Sequence, residues 1–305
     1  MTTGPAGMLR KLVIVAALAV ALGLPVFWYI TIPEVIPASA LTPPRERDLA
    51  NGRTMFLIGG CSSCHAVPQQ KDATRLGGGL ALKTPFGVFY VPNISSDAKD
   101  GIGGWSEAQF ITAMLLGTSP SAEHLYPAFP YTSYRIMRIV DVRDLFAYLK
   151  SLPAVSGKVR DHDLQFPFNI RRALGIWKRL FVGSEAYEAD ITQSLQWRRG
   201  AYLVNGPGHC AECHSPRNVF GAVIPSRRFT GGQSLMGQGG VPDITQGKLK
   251  NWKVMDFVET LDTGMTPDSD RVGGAMVEVV ANTRQLNAAD REAIAVYLKS
   301  LPAPK

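Results

Sequence analysis

The pattern Cys-x-x-Cys-His occurs twice in this chain and constrains it more than any other feature. The two copies lie at 61–65 and 210–214, and together they contain all four cysteines. The pattern is the attachment signature of c-type haem, in which the two thiols form thioethers with the vinyl groups and the imidazole binds the iron. We therefore predict two covalently bound haem c groups. The predicted cofactor-binding residues are Cys61, Cys64, His65, Cys210, Cys213 and His214, with His65 and His214 as iron ligands.

Other roles of paired cysteines fit this sequence less well. A thioredoxin-like dithiol belongs to a βαβ pattern, which is not evident here. A four-cysteine zinc site would not require a histidine directly after both pairs. A structural disulfide across two intervening residues would close a very small loop. Covalent haem is therefore the favoured interpretation of both motifs.

The length and the net charge of the chain limit which folds and partners are possible. At 305 residues, it is long enough for two domains of about 150 residues each. Hydrophobic residues make up 46% and charged residues 19%, which is a globular composition. The net charge of +7 favours acidic protein partners or anionic lipid headgroups. No stripe of basic and aromatic residues is evident, so we expect no nucleic-acid partner.

An apolar run of 21 residues follows Arg10 and Lys11. About 20 residues are needed to span a bilayer, and Trp28 and Tyr29 suit its interface. Positive charge before the run places the N-terminus in the cytoplasm and the haem domains in the periplasm, so we expect an inner-membrane protein. A secretory signal cleaved after Ala40 is the alternative, but its apolar core would normally be only ~7 to 15 residues long. The predicted segments are a cytoplasmic N-terminus at 1–11, a transmembrane anchor at 12–32 and a linker at 33–44.

The exported part of the chain contains a long internal repeat. The two haem motifs are 149 residues apart, and Tyr-Leu-Lys-Ser-Leu-Pro occurs at 148–153 and again, 149 residues later, at 297–302. Val-Pro-Asn-Ile at 91–94 matches Val-Pro-Asp-Ile at 241–244. Such a repeat indicates two copies of one domain. The predicted fold is mainly α, a tandem duplication of two cytochrome c-type haem domains at 45–155 and 195–305 behind an N-terminal transmembrane helix.

Each copy is predicted to be a small helical domain. The expected helices are one that carries Leu49, Met55 and Phe56 into the first motif, one from Ser106 to Leu116 with Ser106 as N-cap and Gly117 as stop, a last one from Asp141 to Ser151, and its counterpart from Ala288 to Ser300. Glycine-rich loops at 77–79 and 237–240 are predicted to wrap a flat macrocycle.

Residues 156–194 belong to neither copy. The segment is basic and aromatic, and a helix is expected from Ile170 to Phe181. It is either a linker helix packed across the two haem domains or a docking surface for a partner subunit or the membrane interface. The sequence alone does not choose between them.

The sixth ligand of each iron decides between electron transfer and small-molecule chemistry. In the second copy we predict Met276, nine residues after Pro267 in a loop before the last helix. A thioether at this position raises the haem potential. The alternatives are Met236, Met255 and Met265, of which Met255 is interpreted as a helix-core residue.

The same spacing in the first copy leads from Pro120 to Phe129, which cannot bind iron. We rank Met137 first as the ligand, an open site second and His124 third. Met137 matches Leu286 in the repeat, so packing in the core is a strong competing role.

Further contacts with the haem groups are expected from residues near the motifs. Carbonyls of Pro68 and Pro216 are candidates to orient the haem histidines. Arg217, Trp105 and Trp252 are candidates to reach the propionates, although ordinary packing is an equal alternative.

The chain resembles the multi-haem cytochrome c subunits of bacterial membrane-bound dehydrogenases, which oxidise alcohols, aldehydes and gluconate. The resemblance covers residues 45–305 and is carried by the two haem motifs, the paired Val-Pro loops and Tyr-Pro-Ala-Phe-Pro-Tyr at 126–131. Family members often have methionine where Phe129 stands, and many have a third haem domain.

This resemblance implies a periplasm-facing dihaem electron carrier without independent catalysis. Its partners would be a catalytic dehydrogenase subunit as donor and quinone or another cytochrome as acceptor. The alternative is a dihaem enzyme, a peroxidase or a thiosulfate-oxidising cytochrome, with the first haem as reaction centre. A structural anchor for a partner complex is a third possibility.

Overall fold

The computed structural model describes residues 5–43, 46–183, 190–234 and 239–304. About 45% of these described residues are helical, 3-10 turns included. The α-helices of the described residues are α1 Pro5–Ile30, α2 Leu49–Ile58, α3 Cys61–His65, α4 Glu107–Leu116, α5 Tyr131–Tyr134, α6 Ile139–Ser151, α7 Leu174–Phe181, α8 Leu195–Asn205, α9 Cys210–Cys213, α10 Val254–Thr263, α11 Met276–Thr283 and α12 Ala288–Lys299. The strands are β1 Ala81–Thr84, β2 Gly87–Tyr90, β3 Asp163–Leu164, β4 Gly232–Gln233 and β5 Gly240–Val241.

Each half is built on one closely packed pair of helices. In the first half α2 lies against α6, and in the second α8 lies against α12. A glycine permits the approach in both pairs: a Cβ atom on Gly52 would lie 2.2 Å from the Asp144 carbonyl oxygen, and one on Gly200 would lie 1.9 Å from that of Ala293. The helix that leads into each haem motif is therefore held directly against the last helix of the same half.

Capping residues set the ends of the helices as the sequence predicts. The hydroxyl of Ser106 accepts a hydrogen bond from the backbone N–H of Gln109, and the Gln109 side chain accepts one from the Ser106 N–H, a capping box that starts α4. Gly117 ends α4 in the left-handed conformation at φ 60°. Asn287 caps α12, which begins at Ala288 as predicted. The predicted last helix of the first half begins two residues early, at Ile139.

One continuous cluster of buried apolar side chains runs through both halves. It includes Met55 and Leu149 from the first half and Leu203 and Ile294 from the second. Leu49, the first residue of α2, is exposed, whereas Met55 and Phe56 of the same helix are buried. The two halves are thus joined by a common core as well as by the chain that connects them.

The N-terminal helix α1 is long and apolar enough to cross a membrane over Met8–Ile30, and none of this stretch is buried in the protein. The predicted apolar run extends to Ile32, but the helix ends at Ile30 because Thr31 turns inward and is fully buried. The residues that follow pack against the first half: the Ile36 backbone N–H donates to the Thr112 hydroxyl at 3.0 Å.

The segment 156–194 is divided between the first half and a helix of its own. Its strand β3 pairs with β2 in an antiparallel sheet, in the order β1-β2-β3, so 163–164 extend the first half. The predicted helix from Ile170 begins as a 3-10 turn at Arg171–Ala173 and becomes α7 at Leu174. Of the predicted glycine loop 237–240, residues 237 and 238 lie outside the described part of the chain.

We expect Gly200→Ala to destabilise the protein by about 1 to 3 kcal/mol or more, because the new methyl group would overlap the Ala293 carbonyl and push α8 from α12. The measurement is urea unfolding of the haem-loaded chain, followed by circular dichroism. Gly273→Ala is the control, since a Cβ atom there meets nothing within 4 Å. Equal stability of the two variants would contradict this account of the helix pair.

Candidate functional site

Both haem motifs form a short helical turn that follows a residue with left-handed backbone. Gly60 precedes α3 with φ 57°, and His209 precedes α9 with φ 37°. Glycine adopts this conformation without strain, whereas histidine does so at a cost. The surroundings of His209 must therefore hold it in place.

The histidine of each motif is oriented by a backbone carbonyl of a proline. His65 Nδ1 lies 2.8 Å from the Pro92 oxygen, and His214 Nδ1 lies 2.9 Å from the Pro242 oxygen. Donation from Nδ1–H leaves Nε2 free to bind a metal, the tautomer that a haem histidine needs. The prediction that Pro68 and Pro216 supply these carbonyls is wrong, because the matching Val-Pro loops fold back over the histidines instead.

A glycine brings each Val-Pro loop close to its motif. The Gly78 N–H donates to the His65 carbonyl at 2.8 Å, and the Gly231 N–H donates to the His214 carbonyl at the same distance. Gly78 has φ 70° and Gly231 has φ 76°, and a Cβ atom on Gly78 would lie 2.4 Å from the Val91 oxygen. Glycines 77–79 were predicted to wrap a macrocycle. At Gly78, the structure instead shows close contact between two loops of the protein.

The protonation states of the motif side chains suit covalent haem. Burial lowers the pKa of His65 to about 4, against the opposing effect of its bond to Pro92, and also lowers the pKa of His214. Burial raises the pKa of Cys61 and the pKa of Cys210 to about 12. Both rings are thus neutral at physiological pH, as iron ligation requires, and both cysteines are protonated when unattached.

The donor set fits haem c and does not fit the competing metal site. All four cysteines are free thiols, and Cys213 is exposed, so that a group attached there has room. Across the described ranges, no cluster of three or more His, Cys, Asp or Glu side chains is arranged to hold a metal ion.

The candidate sixth ligands occupy different environments. Met276 is the first residue of α11 and is half-buried. Met137 is buried in the common core, as is its counterpart Leu286. The structure does not bring His124 to the motif by any described contact: its Nε2 lies 2.9 Å from the Thr31 oxygen, at the foot of α1.

Phe129, which stands at the position expected for a ligand in the first half, has a packing role. Its ring centre lies 5.5 Å from that of Tyr134 and 6.4 Å from that of Tyr131. Both tyrosines belong to α5 and are buried. The phenylalanine therefore completes an aromatic group beside the first motif.

The three alternative methionines of the second half also differ from one another. Met255 is 64% exposed on α10, so its interpretation as a core residue is wrong: it stands on the outward side of that helix. Met265 is half-buried beside the end of α10, where its carbonyl accepts a hydrogen bond from Thr260. Met236 lies outside the described residues.

The two motif turns lie next to each other. His209 Nε2 is 3.3 Å from the Gly59 carbonyl oxygen, which links the residue before the second motif to the approach to the first. The His209 ring also packs edge-on against Tyr134, with 5.6 Å between the ring centres. These contacts hold His209 in its left-handed backbone conformation. That conformation was not predicted from the sequence.

Reciprocal hydrogen bonds tie each motif to the opposite half. Glu212, inside the second motif, accepts from the Ser133 hydroxyl at 2.9 Å and from the Thr132 hydroxyl at 2.6 Å, both on α5 of the first half. Ser63, inside the first motif, accepts from the Asn282 amide at 3.0 Å on α11 of the second half. Glu212 stands 149 residues after Ser63, and Asn282 stands 149 residues after Ser133. The two ties are therefore equivalent in the repeat, but only one contains a charge.

The charge of Glu212 is retained although the side chain is only 13% exposed. Burial alone would raise its pKa, but the nearby Arg217 guanidinium and the hydroxyls of Thr132 and Ser133 lower the pKa overall. Arg217 Nη2 donates to the carboxylate at 2.7 Å. Arg217, predicted as a propionate contact, is thus paired with Glu212. The other two predicted propionate contacts, Trp105 and Trp252, pack against the common core.

Comparison with known proteins agrees with this geometry. The cytochrome c family profile matches residues 49–153. A relative from Cereibacter sphaeroides named "Diheme cytochrome c-type" is 47% identical over 258 residues, which cover 84% of this chain and 86% of the relative. The chain belongs to the cytochrome c family. Membership implies covalent haem c and a role in electron transfer.

Two longer relatives extend the comparison. A nicotinate dehydrogenase subunit from Pseudomonas putida is 40% identical over 83% of this chain, but the match covers only 21% of that protein. "Fructose dehydrogenase cytochrome subunit" from Gluconobacter japonicus is 36% identical over 88% of this chain and 55% of its own length. The chain thus spans about half of one relative and about a fifth of the other. The predicted resemblance to the cytochrome subunits of dehydrogenases is confirmed.

The sequence contains a signal for the hydrogen bonds between each motif and the opposite half, although these bonds were not predicted. Aligning the repeat at its offset of 149 residues places Ser63 opposite Glu212, a charged residue in one motif and a small hydroxyl in the other. That difference marks the position, but the partner on α5 is distant in sequence and depends on how the halves pack.

We expect Glu212→Ala to destabilise the cytochrome by about 3 kcal/mol, because it leaves the Arg217 charge and two hydroxyls without their acceptor in a buried place. Ser63→Ala, the equivalent change in the other motif, removes a neutral hydrogen bond and should cost about 1 kcal/mol. Urea unfolding of the loaded chain compares the two. A Glu212→Ala loss no greater than that of Ser63→Ala would contradict the importance of the buried charge.

Proposed function

We propose that the chain is a membrane-anchored dihaem c-type cytochrome that transfers electrons from a periplasmic dehydrogenase partner to quinone or a terminal cytochrome. The observation that carries the proposal is the pair of Cys-x-x-Cys-His turns, each with its histidine oriented by a proline carbonyl and both in contact through His209 and Gly59. The dehydrogenase names of the longer relatives support the choice of donor.

The motif side chains would hold the cofactors in this function. His65 and His214 would bind the two irons. When bound, haem iron supplies a one-electron redox couple. The residues that would hold the two haem groups covalently are Cys61, Cys64, Cys210 and Cys213.

The surrounding residues would orient and tune the two sites. The bonds to Pro92 and Pro242 keep each imidazole in one tautomer and orientation, which lowers the structural change on electron transfer. The Glu212–Arg217 ion pair lies beside the second site, whereas Ser63, at the equivalent position of the first motif, carries no charge.

We infer that the two halves are duplicated haem domains, at 45–155 and 195–305. The sequence repeat, the paired glycines Gly52 and Gly200, and the two equivalent ties between motifs and opposite halves support this inference. Residues 156–194 would connect the domains.

We propose α1 as an inner-membrane anchor with the haem domains in the periplasm. Its length, its exposure and the basic residues Arg10 and Lys11 near its start support an anchor. Cleavage as a secretory signal would still export the remainder, but it would remove the helix to which the 156–194 segment is bound.

For the sixth ligands we propose Met276 in the second domain and Met137 in the first. The half-buried position of Met276 at the start of a helix supports access to a ligand site. Met137 would have to leave a packed core position, so an open first site is the next choice. His124 ranks last because its Nε2 already has the Thr31 carbonyl as partner.

A second candidate function is a dihaem peroxidase or thiosulfate-oxidising enzyme that reacts at the first haem. The observation that favours it is Phe129, which stands where the second domain has Met276 and contributes only ring packing. Binding of cyanide by the ferric first haem, together with peroxide or thiosulfate turnover by the isolated chain, would support the enzyme. Inert haems that accept electrons from a dehydrogenase would support the carrier.

We expect Cys210→Ser combined with Cys213→Ser to reduce the covalent haem content from two groups per chain to one, because the thioether sulfurs of the second motif are lost. Intact-protein mass and the pyridine haemochrome assay provide the count. The matched change Cys61→Ser with Cys64→Ser should have the same effect. Two covalent haems in either variant would contradict the assignment.

We expect Met276→Leu to remove the spectral signature of methionine ligation from one ferric haem and to lower its midpoint potential, because a thioether ligand favours the reduced iron. Optical spectra and a redox titration are the measurements. Met255→Leu, on the exposed side of α10, is the control and should change neither quantity. An unchanged spectrum in Met276→Leu would assign the ligand elsewhere.

A further inference from the structure

Helix α7 and the turn before it are fastened to the end of α1. Arg172 donates from Nη2 to the Trp28 carbonyl at 2.8 Å and from Nε to the Thr31 hydroxyl at 2.9 Å. Arg179, about two helical turns further on, donates to the Ile30 carbonyl. Gly175 lies between them, and a Cβ atom there would be 2.7 Å from Thr31 Cα. The two arginine side chains thus bind the last turn of α1, and Gly175 allows the backbone of α7 to approach it closely.

This attachment determines the depth of α7 if α1 spans the membrane. Trp28 and Tyr29 are then at the periplasmic interface, where amphipathic rings concentrate. A helix bonded to the carbonyls of Trp28 and Ile30 lies within one side-chain length of the same level. It therefore lies at the level of the headgroup layer.

The other sides of α7 have three different surroundings. Lys178 donates to the carbonyls of Leu116 and Gly117 in the first half, both at 2.7 Å. Trp177 donates to the Phe220 carbonyl of the second half at 2.9 Å. Ile176 and Leu180, four residues apart on one side, are both exposed, Leu180 to 68%. An apolar stripe is thus left open beside the end of α1.

Exposed apolar side chains of two neighbouring loops extend this stripe. Phe220 is 61% and Val219 is 85% exposed, and the Phe220 ring lies 5.8 Å from that of Phe181 on α7. On the first half, Phe168 is also exposed and packs 4.8 Å from Phe86. Large exposed apolar patches of this kind mark contact with a membrane or a protein.

Positive charge accompanies the apolar surface, although the Glu34 carboxylate is near enough to act on Lys178. Arg171, Arg172 and Arg179 hydrogen-bond to backbone carbonyls and a hydroxyl, which do not cancel their charge. Within the described ranges, none of the three forms an ion pair with a carboxylate. Basic residues beside an apolar stripe are the composition of a helix that lies in a membrane interface with anionic lipid.

We propose that α7, together with the loop 218–221, is a membrane-contact surface that rests on anionic phospholipid headgroups and inserts Ile176, Leu180 and Phe220 among them. The proposal rests on the proposed anchoring by α1. A lipid occupant is preferred to a partner protein because the surface is continuous with the end of α1 and because its charge is complementary to anionic lipid. Through its contacts from Lys178 and Trp177, this surface would fix the position of the first and the second haem domain, respectively, relative to the membrane.

Photo-crosslinking of the full, haem-loaded chain tests the proposal. A photoreactive amino acid is introduced at Leu180, at Phe220 or at Met255, and the protein is reconstituted in nanodiscs of phosphatidylcholine with or without phosphatidylglycerol. Met255 is the matched control, since it is 64% exposed but lies on α10, which packs on α11 and α12. Lipid adducts are counted by mass, and retention in the disc is measured separately after an alkaline wash.

We expect about tenfold more lipid adduct at positions 180 and 220 than at 255, the ratio that partition of one leucine-sized side chain supplies, with a further increase in phosphatidylglycerol. Adduct yields at 180 and 220 no higher than at 255 would overturn the membrane-contact surface. Retention after the wash is an independent test of the anchor. If the chain is retained but forms no adducts, α1 remains the anchor. If adducts form on a chain that the wash removes, only the anchor is overturned. In native membranes, crosslinks from 180 to a protein in place of lipid would overturn the proposal in favour of a subunit interface.

Discussion

The packing of the two haem motifs against each other is the constraint on which the rest of the structure depends. Each motif is a single helical turn, too short to hold its position alone. Each is held instead by a hydrogen bond to the opposite half, from Ser133 to Glu212 and from Asn282 to Ser63. The α11 segment that supplies Asn282 begins at the candidate ligand Met276, and the candidate Met137 closely follows α5. Each motif is therefore bonded to the segment that would provide the sixth ligand in the other half.

The difference between the two ties makes the sites unequal. A neutral serine–asparagine contact at the first motif corresponds to a buried carboxylate with an arginine partner at the second. The second site thus has a buried ion pair that the first site lacks, so the electrostatic surroundings of the two sites would differ even with the same axial ligands. The proposed ligation adds a second difference, since Phe129 stands in the first half at the position that corresponds to Met276 in the second.

The foot of α1 connects the membrane-length helix to both halves. The carbonyls of its last turn are taken by Arg172 and Arg179, and α7 then reaches one half through Lys178 and the other through Trp177. Helix α7 packs across both halves and also leaves an apolar side open, so its structure is compatible with both roles considered for its segment. That combination follows from its period, which points consecutive residues toward different neighbours.

The sequence by itself determined the cofactor chemistry, the helices and the repeat, because these depend on local spacing: Cys-x-x-Cys-His is read within five residues, and Ser106 and Gly117 mark helix ends within one turn. It could not determine which carbonyl orients His65, since only the fold brings Pro92 rather than Pro68 to the ring. It also could not show that Glu212 and Asn282 tie the motifs to opposite halves. The His65–Pro92 contact joins residues 27 positions apart, and the contacts of Glu212 and Asn282 join residues some 80 to 220 positions apart. Only the three-dimensional packing of the chain decides such contacts.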